Sequence, residues 1–412
     1  GLVGSEMCIR DRPRLASKPQ TITASPIRRI ATLLDEARRK SDIISFGGGA
    51  PSLPPPQEVI DHLINYIKSY PQKAVGYGAT RGMIELRELI AEDLKKYWNV
   101  SYDPKEEIMI VNGGTEGIYL ALGAILEKDE EVIVLDPTYL GYHEPIKLFG
   151  GRVRTVPVSV ENGYQPKIED VKKVISPLTK AFILLSPDNP TGRVVTEEFV
   201  RDLVDLAVEH DFWIIFDAVY KHISYGRPTP WVDSFKGARE RTITINSFSK
   251  EASIPGFRLG YITGPPEAIE VMEKLKQYVS LAPDTPGQIA MIKFLESGIK
   301  DRYLNEIVLP TYKRRRDFMY KCIQEYLPEA KTSLPEGAFY FFVNLEEYLK
   351  AMERDDEEFA NRLLYRKSVV VIPGKYFGEM GKGHVRMTFV SEPEERIEEG
   401  LKRMNAYVYS YM

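Results

Sequence analysis

Cysteine is nearly absent from this chain: Cys8 and Cys322 are its only thiols in 412 residues. A disulfide framework and a cysteine-built zinc site are thereby excluded. Histidine is scarce too. His62, His143, His210, His222 and His384 form no close-spaced ligand pair, so no metal site is expected. No charge of one sign dominates, since 55 basic residues stand against 59 acidic ones for a net charge of −4. Long Lys/Arg blocks are missing, and the one short run, Lys313 to Arg316, reads as a solvated helix face. Neither nucleic acid nor a membrane is therefore expected as a partner. Apolar runs such as Phe182–Leu185 have the length of a strand and fall far short of a bilayer span. Internal repeats and low-complexity tracts are absent. What remains is an ordinary globular composition, 43% apolar and 28% charged. The expectation is a cytoplasmic enzyme or binding protein, with more residues than one compact core organises.

Residues 1–12, Gly1 to Arg12, resemble translated sequencing-adapter read-through, or else a disordered leader, and carry no fold signal. From Pro56 onward, short β-rich apolar runs alternate with helical patterns. The runs are Ile108–Val111, Val132–Leu135, Ala181–Leu185, Phe212–Phe216, Thr242–Ile245 and Leu259–Thr263. They are almost continuously apolar, as strands covered on both faces are. Thr115–Leu126 and Glu197–His210 carry helical periodicity between them. This alternation predicts an α/β fold, a mostly parallel sheet with helices on both faces, over about residues 61–299. After Ser297 the texture changes. A charged helical stretch from Lys300 to Tyr326 leads to Gly337–Val343, Val369–Ile372 and His384–Phe389, a smaller α+β unit over 300–412. Residues 13–60 are expected to form an arm packing with that unit, through a helix over Ser25–Lys40 and the Gly/Pro-rich stretch Phe46–Pro56.

Ligands of open α/β sheets bind beyond the carboxyl ends of the strands, so the residues after each run sample the site. Ile108–Val111 is followed by Asn112, Gly113, Gly114 and Thr115, opening a helix. Val132–Leu135 leads to Asp136-Pro137-Thr138-Tyr139, and Ala181–Leu185 to Ser186-Pro187-Asp188-Asn189-Pro190-Thr191-Gly192. Phe212–Phe216 leads to Asp217-Ala218-Val219-Tyr220, and Thr242–Ile245 to Asn246-Ser247-Phe248-Ser249-Lys250. Singly, each motif has a plain reading: a tight turn, a helix start, a cap, a solvated lysine.

Together they meet the needs of pyridoxal 5'-phosphate. A phosphate wants helix N-terminal amides, a hydroxyl and a cation, which Gly113, Gly114, Thr115, Ser247, Ser249 and Arg258 supply. The helix-end field contributes only roughly 0.3–1 kcal/mol, so directed hydrogen bonds and Arg258 carry the anchoring. An aldehyde wants a lysine for a Schiff base, Lys250. A pyridine acting as electron sink wants a carboxylate at its nitrogen, Asp217. The ring oxygen wants donors, Asn189 and Tyr220, and the flat ring wants an aromatic platform, Tyr139.

From about Ser25 to the C-terminus these residues resemble the class I/II aminotransferases, the fold type I pyridoxal phosphate enzymes. The strongest motif is Ser247-Phe248-Ser249-Lys250 followed by Gly256-Phe257-Arg258-Leu259-Gly260, with lysine and arginine eight positions apart. Asn189-Pro190-Thr191-Gly192 and Asp217-Ala218-Val219-Tyr220 keep the family's order. The resemblance implies amino-group transfer between an amino acid and a 2-oxo acid, glutamate/2-oxoglutarate being one pair, with Lys250, Asp217 and Tyr220 catalytic. It implies that Gly49, in Phe46-Gly47-Gly48-Gly49-Ala50-Pro51, lies near the substrate carboxylate and that Arg386 grips it, with Asn189 also touching substrate. Tyr77 is implied to reach a phosphate in the partner subunit of a homodimer. Several family members have a small residue or Trp where Tyr139 stands; tyrosine still stacks. The texture is similar to the subgroup of 2-aminoadipate, kynurenine and aromatic aminotransferases, where Arg28 or Arg81 would contact an acidic side chain or be simply solvated. A β-lyase or an aminocyclopropane-carboxylate-synthase-like enzyme would share the fold and the Schiff base. The aminotransferase-like sensor of a transcription regulator is a more distant alternative, without a helix-turn-helix in this chain. A dinucleotide dehydrogenase lacks its Gly-x-Gly-x-x-Gly turn here.

Overall fold

The computed structural model describes residues 15–26 and 42–411. The 1–12 leader, Arg28 and most of the helix expected over Ser25–Lys40 lie outside the described residues. In chain order the described strands are β1 (Ile44–Ser45), β2 (Ile108–Val111), β3 (Glu131–Asp136), β4 (Arg152–Pro157), β5 (Thr179–Leu185) and β6 (Trp213–Asp217). They continue with β7 (Thr242–Ser247), β8 (Gly260–Thr263), β9 (Tyr340–Asn344), β10 (Val369–Val370), β11 (Ile372–Pro373) and β12 (His384–Thr388). Seven of them form one sheet in the order β2-β8-β7-β6-β5-β3-β4.

The apolar runs explain its centre. Ile214, Ile215 and Phe216 in β6, and Ile243 and Ile245 in β7, have no exposed surface, because helices cover both faces. The helix Gly114–Ile125 packs on one face, bringing Gly117 so close to Ile245 that a Cβ there would stand 3.0 Å from its Cγ2. Thr244, on the alternate face, hydrogen-bonds Asp233 at 2.9 Å. The helix Glu197–Glu209 shows why such segments are helical. Thr196 caps it by accepting from Phe199 N–H, Glu197 and Glu198 sit in the positive first turn, and Phe199, Leu203, Val204 and Leu206 make its buried stripe.

Two features depart from the sequence reading. Strand β4 was not anticipated, because an edge strand exposes Arg152, Arg154 and Thr155 and contains no continuous apolar run. Strand β8 runs antiparallel to both neighbours, β2 and β7. The connection 248–259 contains only short helical turns, Phe248–Glu251 and Pro255–Phe257, and doubles back directly instead of crossing over. Lys250 and Arg258 therefore both lie on this return at one rim of the sheet.

The second sheet is small and antiparallel, in the order β11-β12-β9, with Arg386 registered against Phe342 on one side and Ile372 on the other. The segment around Ile44–Phe46 is laid into this part of the molecule. Strand β1 pairs in parallel with β10, Phe46 N–H donates to Val370 O at 2.9 Å, and Thr388 N–H donates to Phe46 O at 2.8 Å. The Phe46 ring lies against the helix Glu394–Val408 at Gly400, where a Cβ would come within 2.4 Å of the ring; only glycine permits that approach. The two sheets are tied beside the site. Asp136, at the end of β3, accepts from Glu379 and Met380 N–H at 3.1 Å each, and Thr138 N–H donates to Phe377 O at 2.9 Å.

Candidate active site

The carboxyl ends of β2, β3, β5, β6 and β7 meet at one cavity of about 740 Å³. Its lining includes Gly49, Gly114, Thr115, Tyr139, Asn189, Asp217, Tyr220, Ser247, Ser249, Lys250, Arg258 and Arg386. Of the residues proposed from sequence, Gly113 and Tyr77 are not among the lining. Gly113 stands just behind it: it adopts φ +83°, and a Cβ there would be 2.7 Å from Arg258 Nη2, so the guanidinium lies over the bare backbone that starts the helix. Tyr77 is 93% exposed. Arg81, a candidate for an acidic side chain, is engaged elsewhere, pairing with Glu273 at 2.6 Å and donating to Lys105 O at 2.7 Å.

Asp217 is buried at the end of β6. It accepts from Tyr142 O–H at 2.7 Å and from Val219 N–H at 3.3 Å. Burial still wins, pushing its carboxyl up to about 6 against those donors and the charge of Lys250. Across the cavity, burial draws the Lys250 amine down to about 8, helped by the positive charges of Arg386 and Arg258 and opposed by Asp217. Lys250 Nζ donates to Gly49 O. Tyr220 shares a hydrogen bond of 2.9 Å with Tyr340 O–H, and burial holds its phenol well above the usual range.

Arg386 is 2% exposed and gripped on several sides. Its Nη1 donates to Asn189 Oδ1 at 3.0 Å and its Nη2 to Gly47 O at 2.9 Å, while the Tyr340 and Phe377 rings lie 4.3 and 5.1 Å away. Its Nε is buried without a partner. An unpaired buried guanidinium N–H is costly unless an anion meets it. Ser247 caps the short helix that carries Lys250, accepting from Ser249 N–H at 3.2 Å and donating to Ser249 Oγ at 3.0 Å. Tyr139 stands edge-on to Tyr142, ring centres 5.4 Å apart.

The sequence profile of the family described as "Aminotransferase class I and II" matches residues 41–404. This chain belongs to that family. An aspartate aminotransferase of Pyrococcus abyssi is 36% identical over 382 residues, 91% of this chain and 94% of its own. An aromatic-amino-acid aminotransferase 2 of Thermococcus litoralis is 34% identical across 95% of this chain and 97% of its own. The solved aspartate aminotransferase of Thermus thermophilus with maleate superimposes with a TM-score of 0.89 at 31% identity, covering 96% of this chain and all of that one. The chain is thus an aminotransferase with the fold type I architecture, acting on amino acids and 2-oxo acids.

Three residues of this aminotransferase's cavity region escaped the sequence reading. Nothing local marks Tyr142 as the donor to Asp217; the repeated tyrosine of Tyr139-Leu140-Gly141-Tyr142 is the available signal. Tyr340 reads as core within Phe339–Phe342, and Gly47 is one glycine among three. Beside the cavity, the residues following Tyr220 and Lys250 form a buried ion pair, Lys221 to Glu251 at 2.9 Å, with His222 3.4 Å from both Glu251 and Asp93. No group of metal-ligating side chains is found among the described residues, nor any helix long and apolar enough to cross a membrane.

Proposed function

We propose that the cavity holds pyridoxal 5'-phosphate on Lys250, and that the enzyme pairs glutamate/2-oxoglutarate with an aromatic or acidic amino acid, the substrates named for its relatives. The observation that carries this reading is one cavity in which the half-buried Lys250 amine and the buried Asp217 carboxylate, each feeling the other's charge, face the same space. Bound there, the cofactor supplies an electron sink for the electrons of the substrate Cα–H bond.

The chain's residues fit that group. Asp217, held by Tyr142, is an anion for a protonated ring nitrogen. Asn189 and Tyr220 are donors for the ring oxygen, and Tyr139 is the stacking platform. The amides at Gly114 and Thr115, the hydroxyls of Thr115, Ser247 and Ser249, and Arg258 suit a phosphate dianion, whereas the Gly113 N–H is already given to Val111 O at 2.9 Å. Arg386 meets the substrate α-carboxylate with its unpaired Nε and the remaining N–H groups of its fork, beside Gly49. Lys250 Nζ moves the Cα proton. Lowering its pKa from 10.5 to about 8 raises its neutral fraction at pH 7 by roughly 300-fold, to about a tenth. The exposed Tyr77 is available to a second copy in a homodimer.

Two measurements test this reading. Wild-type protein given pyridoxal phosphate gains visible absorption, and Lys250→Ala loses both that absorption and turnover. A panel of amino donors then yields glutamate from 2-oxoglutarate. Turnover retained by Lys250→Ala, or release of ammonia in place of glutamate, removes the proposal.

A further inference from the structure

The loop that presents Asn189 contains a buried ion pair that the chemistry above does not use. Strand β5 ends at Leu185, in register with Asp217 on β6, and Ser186 N–H donates to Asp217 O at 3.3 Å. Two residues on, Asp188 has no exposed surface, and Arg193 is 3% exposed. Their side chains approach to 3.2 Å, Arg193 Nη2 to Asp188 Oδ1. Asp188 Oδ2 accepts from Thr191 N–H at 3.1 Å and from the Thr191 hydroxyl. The backbone closes the same ring: Asp188 N–H donates to Arg193 O at 2.9 Å, and Gly192 N–H to Asp188 O at 3.0 Å. Outward, Arg193 Nη1 donates to Tyr164 O at 2.9 Å, and Gly192 O accepts from Glu336 and Gly337 N–H at 2.8 and 2.9 Å. Gly192 adopts φ +72°, and a Cβ there would lie 2.5 Å from Pro335. The loop is therefore closed on itself and fastened to the segment leading into β9.

This is a poor design for stability alone. Taking both charges out of water is expensive, and Asp188 Oδ1 and Arg193 Nε are left without hydrogen bonds. An uncharged turn would hold the chain with less desolvation. What the pair does specify is the position of the next side chain, since Asn189 Oδ1 is where Arg386 Nη1 donates, at 3.0 Å. We infer that Asp188, neutralised by Arg193, is a positioning residue for amino-group transfer, fixing the loop so that the Asn189 amide faces both Arg386 and the cofactor's ring oxygen. This inference rests on the assignment of the cavity to pyridoxal phosphate.

The test follows the visible absorption of the loaded enzyme against pH, beside steady-state kinetics. A donor at the ring oxygen favours its anionic form, so loosening Asn189 raises the pH midpoint of the absorption change. Asp188→Ala is expected to raise that midpoint by about one unit and the amino-donor KM about tenfold, with kcat within about threefold, as loss of a hydrogen bond that orients a binding arginine does. The charge-free double variant Asp188→Asn/Arg193→Gln keeps an acceptor for Thr191 and a donor for Tyr164 O, and returns both quantities to within about threefold, or half a unit, of wild type. A folded Asp188→Ala with unchanged midpoint and KM overturns the inference, as does a double variant no better than the single one. If Asp188→Ala does not fold, Thr191→Val, which deletes one hydroxyl donor to Asp188, carries the test: a raised midpoint supports the inference and an unmoved one overturns it. Wild-type protein that gains no visible absorption with pyridoxal phosphate overturns the cofactor assignment instead, so the two failures are distinct.

Discussion

Replacing Tyr142 by Phe isolates one hydrogen bond at the heart of the site. The Tyr142 hydroxyl donates to Asp217 Oδ2 at 2.7 Å, and both side chains are buried. A hydrogen bond to a charged group is worth about 1.5–3 kcal/mol, and one pKa unit corresponds to about 1.4 kcal/mol, so its loss raises Asp217 by about 1–2 units. Starting from about 6, the carboxyl moves to about 7–8. At pH 7 its anionic fraction then falls from about nine tenths to somewhere between a half and about a tenth. The sign follows directly: the variant loses its anion as pH drops through the raised pKa and recovers it above. Cofactor-free Tyr142→Phe titrated with pyridoxal phosphate is therefore expected to bind up to about tenfold more weakly than wild type at pH 7 and nearly as well at about pH 9. The dissociation constant against pH, read by absorption, is the assay. A variant whose affinity runs parallel to wild type across the whole range refutes the reasoning, because the hydroxyl would then contribute nothing to the charge on Asp217.

Three further outcomes are expected. Asp217 is raised by burial from 3.8 to about 6, so in cofactor-free protein it favours folding less above that pH than below it; Asp217→Asn should raise thermal stability at pH 8 by up to about 3 kcal/mol, and much less at pH 4, while abolishing transfer. Equal stabilisation at both pH values, measured by thermal melts, would argue against an ionised Asp217. Arg386→Lys, which cannot reproduce the fork that contacts Asn189 and Gly47, should lower kcat/KM about 100-fold, and a value near wild type would remove Arg386 from carboxylate binding. Glu251→Ala strands the buried Lys221 ammonium and should destabilise the fold by about 3–5 kcal/mol in chemical denaturation; a loss below about 1 kcal/mol would show the pair to be idle.

How far the site was legible depends on where its information lies. Ile108–Val111 coincides with β2, and the other central runs fall on their strands within two residues, because continuous apolar burial is written locally. The strand-end rule then placed nine of the proposed residues on one cavity, since a mostly parallel sheet delivers its carboxyl ends to the same rim, while Gly49 and Arg386 were legible only through the family resemblance. Strand β4 was invisible for the opposite reason: its exposed arginines give no apolar run. The direction of β8 depends on how the 248–259 return packs, which no local pattern states. Tyr142 meets Asp217 across 75 residues, and Tyr340 meets Tyr220 across 120. Such partners are chosen by tertiary packing, and nothing near them in the chain marks the choice.

Those separations grow larger still around Arg386. Its bond to Gly47 O spans 339 residues, and that of Lys250 to Gly49 O spans 201. Contacts so remote along the chain are slow to form, because the intervening loop must first be closed. On the ribosome, the strand ends around Lys250 emerge well before the segment bearing Arg386. A nascent chain halted between them has its amine and its carboxylate but no grip for a substrate. Competence arrives only once the segment bearing Arg386 has closed on the Gly47–Gly49 stretch.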